Sequence, residues 1–182
     1  MTARLTRPRR PAAHGNRGAP RPVGCAVITV SDTRRGREDT AGASIERLVT
    51  RAGHRVMIRA WVKDEPAALR RAARAALARA GVDVLIVTGG TGLGPRDRTP
   101  EALAPLAERV VPGFGERFRA LSAGQVGTAA WLSRAGAFVA RGRLVVMLPG
   151  SRAAVGLALQ RLLLPELVHA ARMLGRFEPP EE

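Results

Sequence analysis

Val-Asp-Val-Leu-Ile-Val-Thr-Gly-Gly-Thr-Gly-Leu-Gly-Pro-Arg-Asp-Arg-Thr-Pro-Glu, residues 82–101 of a 182-residue chain, has three parts. Residues 82–87 form a short apolar run rich in β-branched side chains, the pattern of a strand covered on both faces. Residues 89–94 then hold four glycines in six positions. Thr99-Pro100-Glu101 reads as a helix start, with Thr99 as N-cap, Pro100 at the first helical position and an acid in the first turn. A buried strand, a glycine loop and a helix N-terminus together suit a phosphate, because loop amides approach closely and the helix start favours negative charge.

The same alternation extends to both sides. Upstream, 23–30 reads as a first strand, followed by a polar loop at 31–40. A helix then runs to Ala52, with Ile45, Leu48, Val49 and Ala52 on one face and Gly53 as its stop. Residues 55–62 read as a second strand and 63–66 as a tight polar corner. The next helix repeats Leu69, Ala72, Ala73, Ala76, Leu77 and Ala80 at helical spacing until Gly81. The order βαβαβ predicts a three-layer α/β/α domain, with a mostly parallel sheet that binds ligands beyond the carboxyl ends of its strands. Loops 31–40, 63–65 and 89–99 all fall at that edge. Downstream, a helix is expected over 100–110, helical pieces from Gly113 to Leu121 and around 129–133, and strands at 136–140 and 143–148. Arg141-Gly142 reads as their hairpin turn, which makes one strand antiparallel. Pro149-Gly150-Ser151 repeats the strand-glycine-helix pattern, with Ser151 capping a helix to Leu164 that Pro165 breaks. A last helix is expected from Glu166 to about Leu174.

Length and composition fit one domain over 23–175, with a tail at 1–22 and a loose end at 176–182. Hydrophobic residues make up 46% of the chain but aromatic ones only 3%, so the core is aliphatic and base-stacking platforms for single-stranded nucleic acid are lacking. The net charge of +15 is carried by arginine, since Lys63 is the only lysine. That charge suits an anionic ligand, or simply reflects an arginine-biased composition. The first 22 residues hold six of the arginines and no acid. Their proline and glycine content predicts disorder rather than a targeting helix. Cys25, the only cysteine, lies in an apolar run, which fits a core thiol and a reducing, cytoplasmic setting. No apolar run approaches the ~20 residues of a membrane span.

The glycine loop has no Walker lysine, and Gly90-Thr91-Gly92-Leu93-Gly94 lacks the dinucleotide-binding spacing. It either holds an anion or lets a helix pack closely on the sheet. Asp97 is surplus to a helix capped by Thr99. It either fixes a turn or, beside a phosphate, holds Mg²⁺, which binds through one or two carboxylates and phosphate oxygens. Asp64, at the end of the second strand, either reaches the same crevice or prepares the entry to Pro66. Asp32 and Asp39 lie in the first loop, where Asp39 fits an N-cap. Ser31, Thr91, Ser122, Ser133 and Ser151 offer hydroxyls without a neighbouring histidine base, and no metal-ligand cluster is visible.

Ile28-Thr29-Val30-Ser31-Asp32, Glu38-Asp39-Thr40-Ala41-Gly42, residues 88–102, Pro112-Gly113-Phe114-Gly115-Glu116 and Leu148-Pro149-Gly150-Ser151 stand in an order that resembles the MogA/MoaB family of molybdenum-cofactor biosynthesis proteins, seen also as the G domain of gephyrin. Val62-Lys63-Asp64-Glu65, Leu93 and Leu164-Pro165-Glu166-Leu167 look closer to the MoaB branch. The resemblance implies a homotrimer or homohexamer that binds molybdopterin and ATP. It also implies Mg²⁺-dependent adenylylation of the pterin's terminal phosphate with release of pyrophosphate. The family's two important acids match Asp64 and Asp97, with Asp97 toward the metal. Ser31, Gly89, Gly90, Thr91, Gly92, Ser122, Pro149, Gly150 and Ser151 are the expected substrate-binding positions. A non-catalytic pterin-binding or carrier protein of the same fold is the alternative. A nucleic-acid or acidic-partner binder acting through the basic tail ranks below both, and no specific nucleic-acid or membrane partner is expected.

Overall fold

The computed structural model describes residues 21–33 and 36–176. Most of the 1–22 tail and of the 176–182 end therefore lies outside the described residues. The chain runs β1 (Gly24–Val30), α1 (Thr40–Arg51), β2 (Arg55–Val62), α2 (Pro66–Ala78), β3 (Val84–Thr88), α3 (Thr99–Leu103), β4 (Arg109–Val111), α4 (Pro112–Val126), β5 (Gly136–Ala140), β6 (Arg143–Leu148), α5 (Arg152–Ala158) and α6 (Leu164–Met173). Six strands form one sheet in the order β2-β1-β3-β6-β5-β4. β1 pairs parallel with β2 and β3, β3 pairs parallel with β6, and β5 is antiparallel to both β6 and β4.

Side chains alternate across a strand, so each strand supplies two cores. Cys25, Val27, Val84, Ile86, Val146 and Leu148 face one layer with Ile45, Val49, Val155, Leu159, Leu163 and Leu167. Ala26, Ile28, Leu85, Val87, Val145 and Met147 face the other with Leu69, Ala73, Leu77, Ala102 and Leu103. β1 and β3 are buried at every position, which is why they read as unbroken apolar runs. Burying a side chain of the size of Ile86 or Leu159 contributes roughly 1.5–3 kcal/mol. α1 packs in the first layer and α2 in the second, so the chain leaves β1 toward one face and returns to β3 from the other. The loops that follow β1 and β3 thereby part and open a crevice at the carboxyl ends of the strands.

Several local expectations change. The helix expected over 100–110 stops at Leu103 and tightens into a 3₁₀ turn, Ala104–Leu106, around Pro105. The β-branched Val110 and Val111 then pair with β5 as an edge strand that the sequence reading did not separate from the helix. The piece beginning at Gly113 is longer than expected and reaches Val126, followed by a 3₁₀ segment, Gly127–Leu132. Thr99 does not cap α3: Arg98 occupies the cap position, while the Thr99 hydroxyl donates to the Gly89 carbonyl at 2.8 Å. Pro165 does not break its helix. A π turn, Leu159–Leu163, widens the chain just before it, with Leu164 N–H bonding back to the Leu159 carbonyl. A proline ring clashes with the carbonyl four residues back in a regular helix, and the wider turn relieves that clash. Residues Arg152–Met173 thus run as one 22-residue helical stretch, long and apolar enough by length and composition to cross a membrane. In this fold its Val155, Leu159, Leu163, Leu167 and Ala171 stripe is packed into the first core layer.

Candidate functional site

Four loops meet at the carboxyl edge of the sheet. The β1 loop begins at Ser31, whose N–H donates to the Val62 carbonyl at 3.0 Å, fastening it to the end of β2. The Ser31 hydroxyl accepts from Thr33 N–H at 3.4 Å. Asp32 accepts from Asp64 N–H at 3.2 Å and pairs with Arg96 of the glycine loop. Asp39 serves the fold: it caps α1 through Gly42 N–H at 2.8 Å, accepts from Thr29 at 2.8 Å and holds Arg59 at 3.1 Å.

The glycine loop is shaped by close approaches. Gly89 has φ +106°, and a Cβ there would stand 2.2 Å from the Val30 carbonyl oxygen. Gly90 has φ +63°, and its Cβ would meet the Thr99 hydroxyl at 2.4 Å and the Asp64 carboxylate at 3.4 Å. At Gly92 and at Gly94 an added Cβ would lie 2.8 Å from Asp97 Oδ2. Asp97 accepts from Gly94 N–H at 3.0 Å, so it does fix the turn while its carboxylate stays at the loop. Thr91 is buried, and its carbonyl accepts from Arg134 N–H at 3.0 Å. From the other side, Pro149 accepts from the Thr88 hydroxyl at 2.9 Å, and a Cβ on Gly150 would lie 3.4 Å from Gly89 Cα. The two glycine turns therefore lie against each other. Ser151 caps α5 through Ala154 N–H at 3.2 Å. Ser122 lies on α4, where its buried hydroxyl donates to the Phe118 carbonyl at 2.8 Å.

The structure thus brings Ser31, Asp64, Gly89, Gly90, Thr91, Gly92, Asp97, Pro149, Gly150 and Ser151 to one edge, and ties Ser122 into its own helix. Asp64 is the electrostatically strained member. Burial, then the neighbouring Asp32 and Asp97 carboxylates, pushes its carboxyl above the ordinary value, against the pull of Arg96 and the Arg98 backbone N–H. Among the described residues no three His, Cys, Asp or Glu side chains are arranged to hold a metal ion by themselves. A hard oxygen pair such as Asp64 and Asp97, completed by phosphate oxygens, matches the coordination Mg²⁺ prefers.

Sequence reasoning missed the full part of Asp32 and all of Arg134. Arg134 donates to the Gly92 carbonyl at 2.9 Å, to the Asp97 carbonyl and to Glu101. No spacing in the chain links position 134 to positions 91–101; only the sheet order does. An apolar cavity lies apart from this site. The 430 Å³ apolar cavity under α6 and α4, beside Val111, Phe114, Val139 and Leu162, holds none of these residues. The polar cavity beside Ser31, Thr88 and Gly150 is only about 40 Å³, room for a water.

The chain is thus a three-layer α/β domain with two glycine turns in contact and two carboxylates, Asp64 and Asp97, at the carboxyl edge of its sheet. Residues 26–169 match the family model described as a probable molybdopterin binding domain, and the chain belongs to that family. It is 43% identical over 155 residues to molybdenum cofactor biosynthesis protein B of Halalkalibacterium halodurans, covering 85% of this chain and 91% of the relative. Against the protein of the same name from Escherichia coli K12 the identity is 42%, over 80% and 86% of the two chains. A crystal structure of a molybdenum cofactor biosynthesis protein B superposes with a TM-score of 0.85 at 39% identity, covering 88% of this chain and 100% of that one. The MoaB structure from Thermus thermophilus gives 0.76 at 34% identity, over 87% and 99%.

Proposed function

We propose that this protein binds molybdopterin and adenylylates its terminal phosphate with Mg²⁺-ATP, in the biosynthesis of the molybdenum cofactor. The observation that carries the reading is the approach of two carboxylates to the glycine loop: a Cβ on Gly90 would lie 3.4 Å from Asp64, and one on Gly92 2.8 Å from Asp97. The names of the relatives support the pathway, and the family supports the pterin.

In the reaction a pterin phosphate oxygen attacks the α-phosphorus of ATP. A new P–O bond forms, the bond to the β-phosphate oxygen breaks, and pyrophosphate leaves with that electron pair. No side chain needs to become a nucleophile, so the residues act by placing two polyanions and offsetting charge. The amides of the two glycine turns are suited to hold phosphate oxygens. Asp64 and Asp97 would hold Mg²⁺, which supplies charge neutralisation on the phosphates. Arg96 is held by Asp32 at the loop and adds positive charge beside it. Assembly as a trimer or hexamer belongs to the same reading. Its support here is the exposure of Val110, Trp131 and Met173, large apolar side chains on the surface.

A second reading, pterin binding without transfer, draws on the bond from Gly94 N–H to Asp97, which gives that carboxylate a turn-forming role. The deciding experiment mixes purified protein with molybdopterin and Mg²⁺-ATP and follows adenylyl-molybdopterin and pyrophosphate. Product that disappears in Asp64→Asn and Asp97→Asn supports the enzyme. Pterin binding without product in the wild type supports the carrier.

A further inference from the structure

The glycine loop is held in shape partly by its own bonds and partly from outside. Four glycines in six positions leave the backbone free to sample many conformations. Much of its bonding is internal: Asp97 N–H to the Gly94 carbonyl at 3.0 Å, Gly94 N–H to Asp97, and Thr99 N–H to the Gly90 carbonyl at 3.0 Å. Arg134 grips it from outside at several points. Its backbone N–H takes the Thr91 carbonyl, its Nε the Gly92 carbonyl, and its two terminal nitrogens the Asp97 carbonyl and the Glu101 carboxylate.

Those acceptors decide where the donors point. No described peptide bond is cis, and in a trans peptide the C=O and N–H point in opposite directions. Drawing the carbonyls of Thr91, Gly92 and Asp97 toward Arg134 turns the N–H groups of Gly92, Leu93 and Arg98 away from it. The Arg98 N–H lies near the Asp64 carboxylate and favours its charged form. The N–H groups of Gly92 and Leu93 meet no acceptor among the described residues. We propose that Arg134 is a positioning residue: it aims the Gly92 and Leu93 amides and fixes the backbone under Asp97, so that the loop meets a phosphate with its donors already oriented. This rests on the reading that the loop holds phosphate. Arginine suits the task because its planar fork presents five donors, whereas lysine concentrates three on one atom and cannot span the same acceptors.

The test uses the full chain as wild type, Arg134→Ala, Arg134→Lys and Arg143→Ala. Arg143 is the stability control: its Nε holds the Val82 carbonyl at 2.8 Å, at the opposite end of the sheet. Amide NMR of Gly92 and Leu93 is titrated with inorganic phosphate, thermal midpoints are recorded, and adenylyl transfer is assayed with and without methylguanidinium. In the wild type both amides are expected to shift with phosphate. In Arg134→Ala the apparent affinity read from them falls at least tenfold, and kcat falls at least tenfold with partial rescue by methylguanidinium. Arg134→Lys recovers less than the added guanidinium does, and serves for the comparison if the alanine variant fails to fold. The proposal is overturned if Gly92 and Leu93 ignore phosphate in the wild type, or respond equally in the Arg134 variants. It is also overturned if Arg143→Ala, at a similar loss of thermal midpoint, reproduces the fall. A wild type whose amides respond to phosphate but which transfers no adenylyl group sinks the proposed reaction and leaves the role of Arg134 standing.

Discussion

Gly89 shows how narrowly the crevice is drawn at the level of single residues. At φ +106°, with a Cβ placed 2.2 Å from the Val30 carbonyl oxygen, an alanine there meets backbone strain and a backbone clash together. Gly89→Ala is expected to destabilise by about 3 kcal/mol or more, read from the denaturant midpoint. Gly124, inside α4 with open space around its Cβ position, is the contrast: Gly124→Ala is expected to stabilise by about 0.5–1 kcal/mol. A gain at Gly89 or a loss at Gly124 contradicts the geometry. Asp64 carries the opposite tension, between stability and function. Its folded carboxyl is raised by burial and by Asp32 and Asp97, so the folded protein holds that proton more tightly than the unfolded chain does. Its contribution to stability is therefore fullest in acid and is lost as pH rises from the ordinary carboxylate value through the raised one. Asp64→Asn should leave the protein as stable as wild type or more so at pH 7, with the advantage fading below about pH 4, while adenylyl transfer falls by at least ~100-fold. Thermal melts across that pH range beside the transfer assay check both halves. An asparagine variant that is less stable at neutral pH sinks the electrostatic account.

Among the elements, those whose fate is set by neighbours in sequence were the readable ones. β1, β2, β3 and the β5–β6 hairpin announce themselves by apolar runs and turn glycines, and α1 and α2 by spacing. Asp97 stood out as surplus to a helix capped by Thr99, but Arg98 holds the cap position and Asp97 fixes the turn. Elements decided by tertiary pairing were hidden. β4 is a three-residue edge strand that looks like the tail of a helix until β5 is beside it. Thr99 has the right chemistry for a cap, yet the nearby Gly89 carbonyl takes its hydroxyl. Arg134 had no local signal at all. The π turn before Pro165 belongs here too, because a proline alone does not reveal whether a helix ends or widens. Since that turn already absorbs the ring, Pro165→Ala should change stability by less than about 1 kcal/mol, whereas proline inside a regular helix costs ~3 kcal/mol. A change beyond ~2 kcal/mol in urea unfolding of Pro165→Ala counts against this view of the turn.

Across the whole molecule the two ends of the sheet do different work. The amino ends are closed by Asp83, 1% exposed, which accepts from Gly24 N–H at 2.9 Å and pairs with Arg176 at 3.1 Å. Nearby Cys25 is buried, and its thiol is pushed up to about 12, first by burial and then by Asp83. Cys25 should therefore react with a thiol reagent at pH 8 only as fast as the domain unfolds, a rate that tracks denaturant. Labelling that is rapid in native buffer contradicts this. Asp83→Ala leaves the Arg176 and Gly24 donors without their acceptor and should destabilise by roughly 2–4 kcal/mol, with kcat unchanged wherever the protein stays folded.

The single antiparallel strand deserves its place for a reason of geometry. In a wholly parallel sheet, every residue delivered to the carboxyl edge must come after a strand. β5 runs the other way, so the residue just ahead of it, Arg134, arrives at the same edge as the Pro149-Gly150 turn that follows β6. The hairpin acts as a two-tined fork, one tine meeting the start of the β3 loop at Thr88 and Gly89 and the other meeting it further on at Thr91, Gly92 and Asp97. A register slip at Arg141-Gly142 that displaced β5 against β6 would withdraw one tine while leaving the other seated, unbalancing the crevice without touching any residue that lines it.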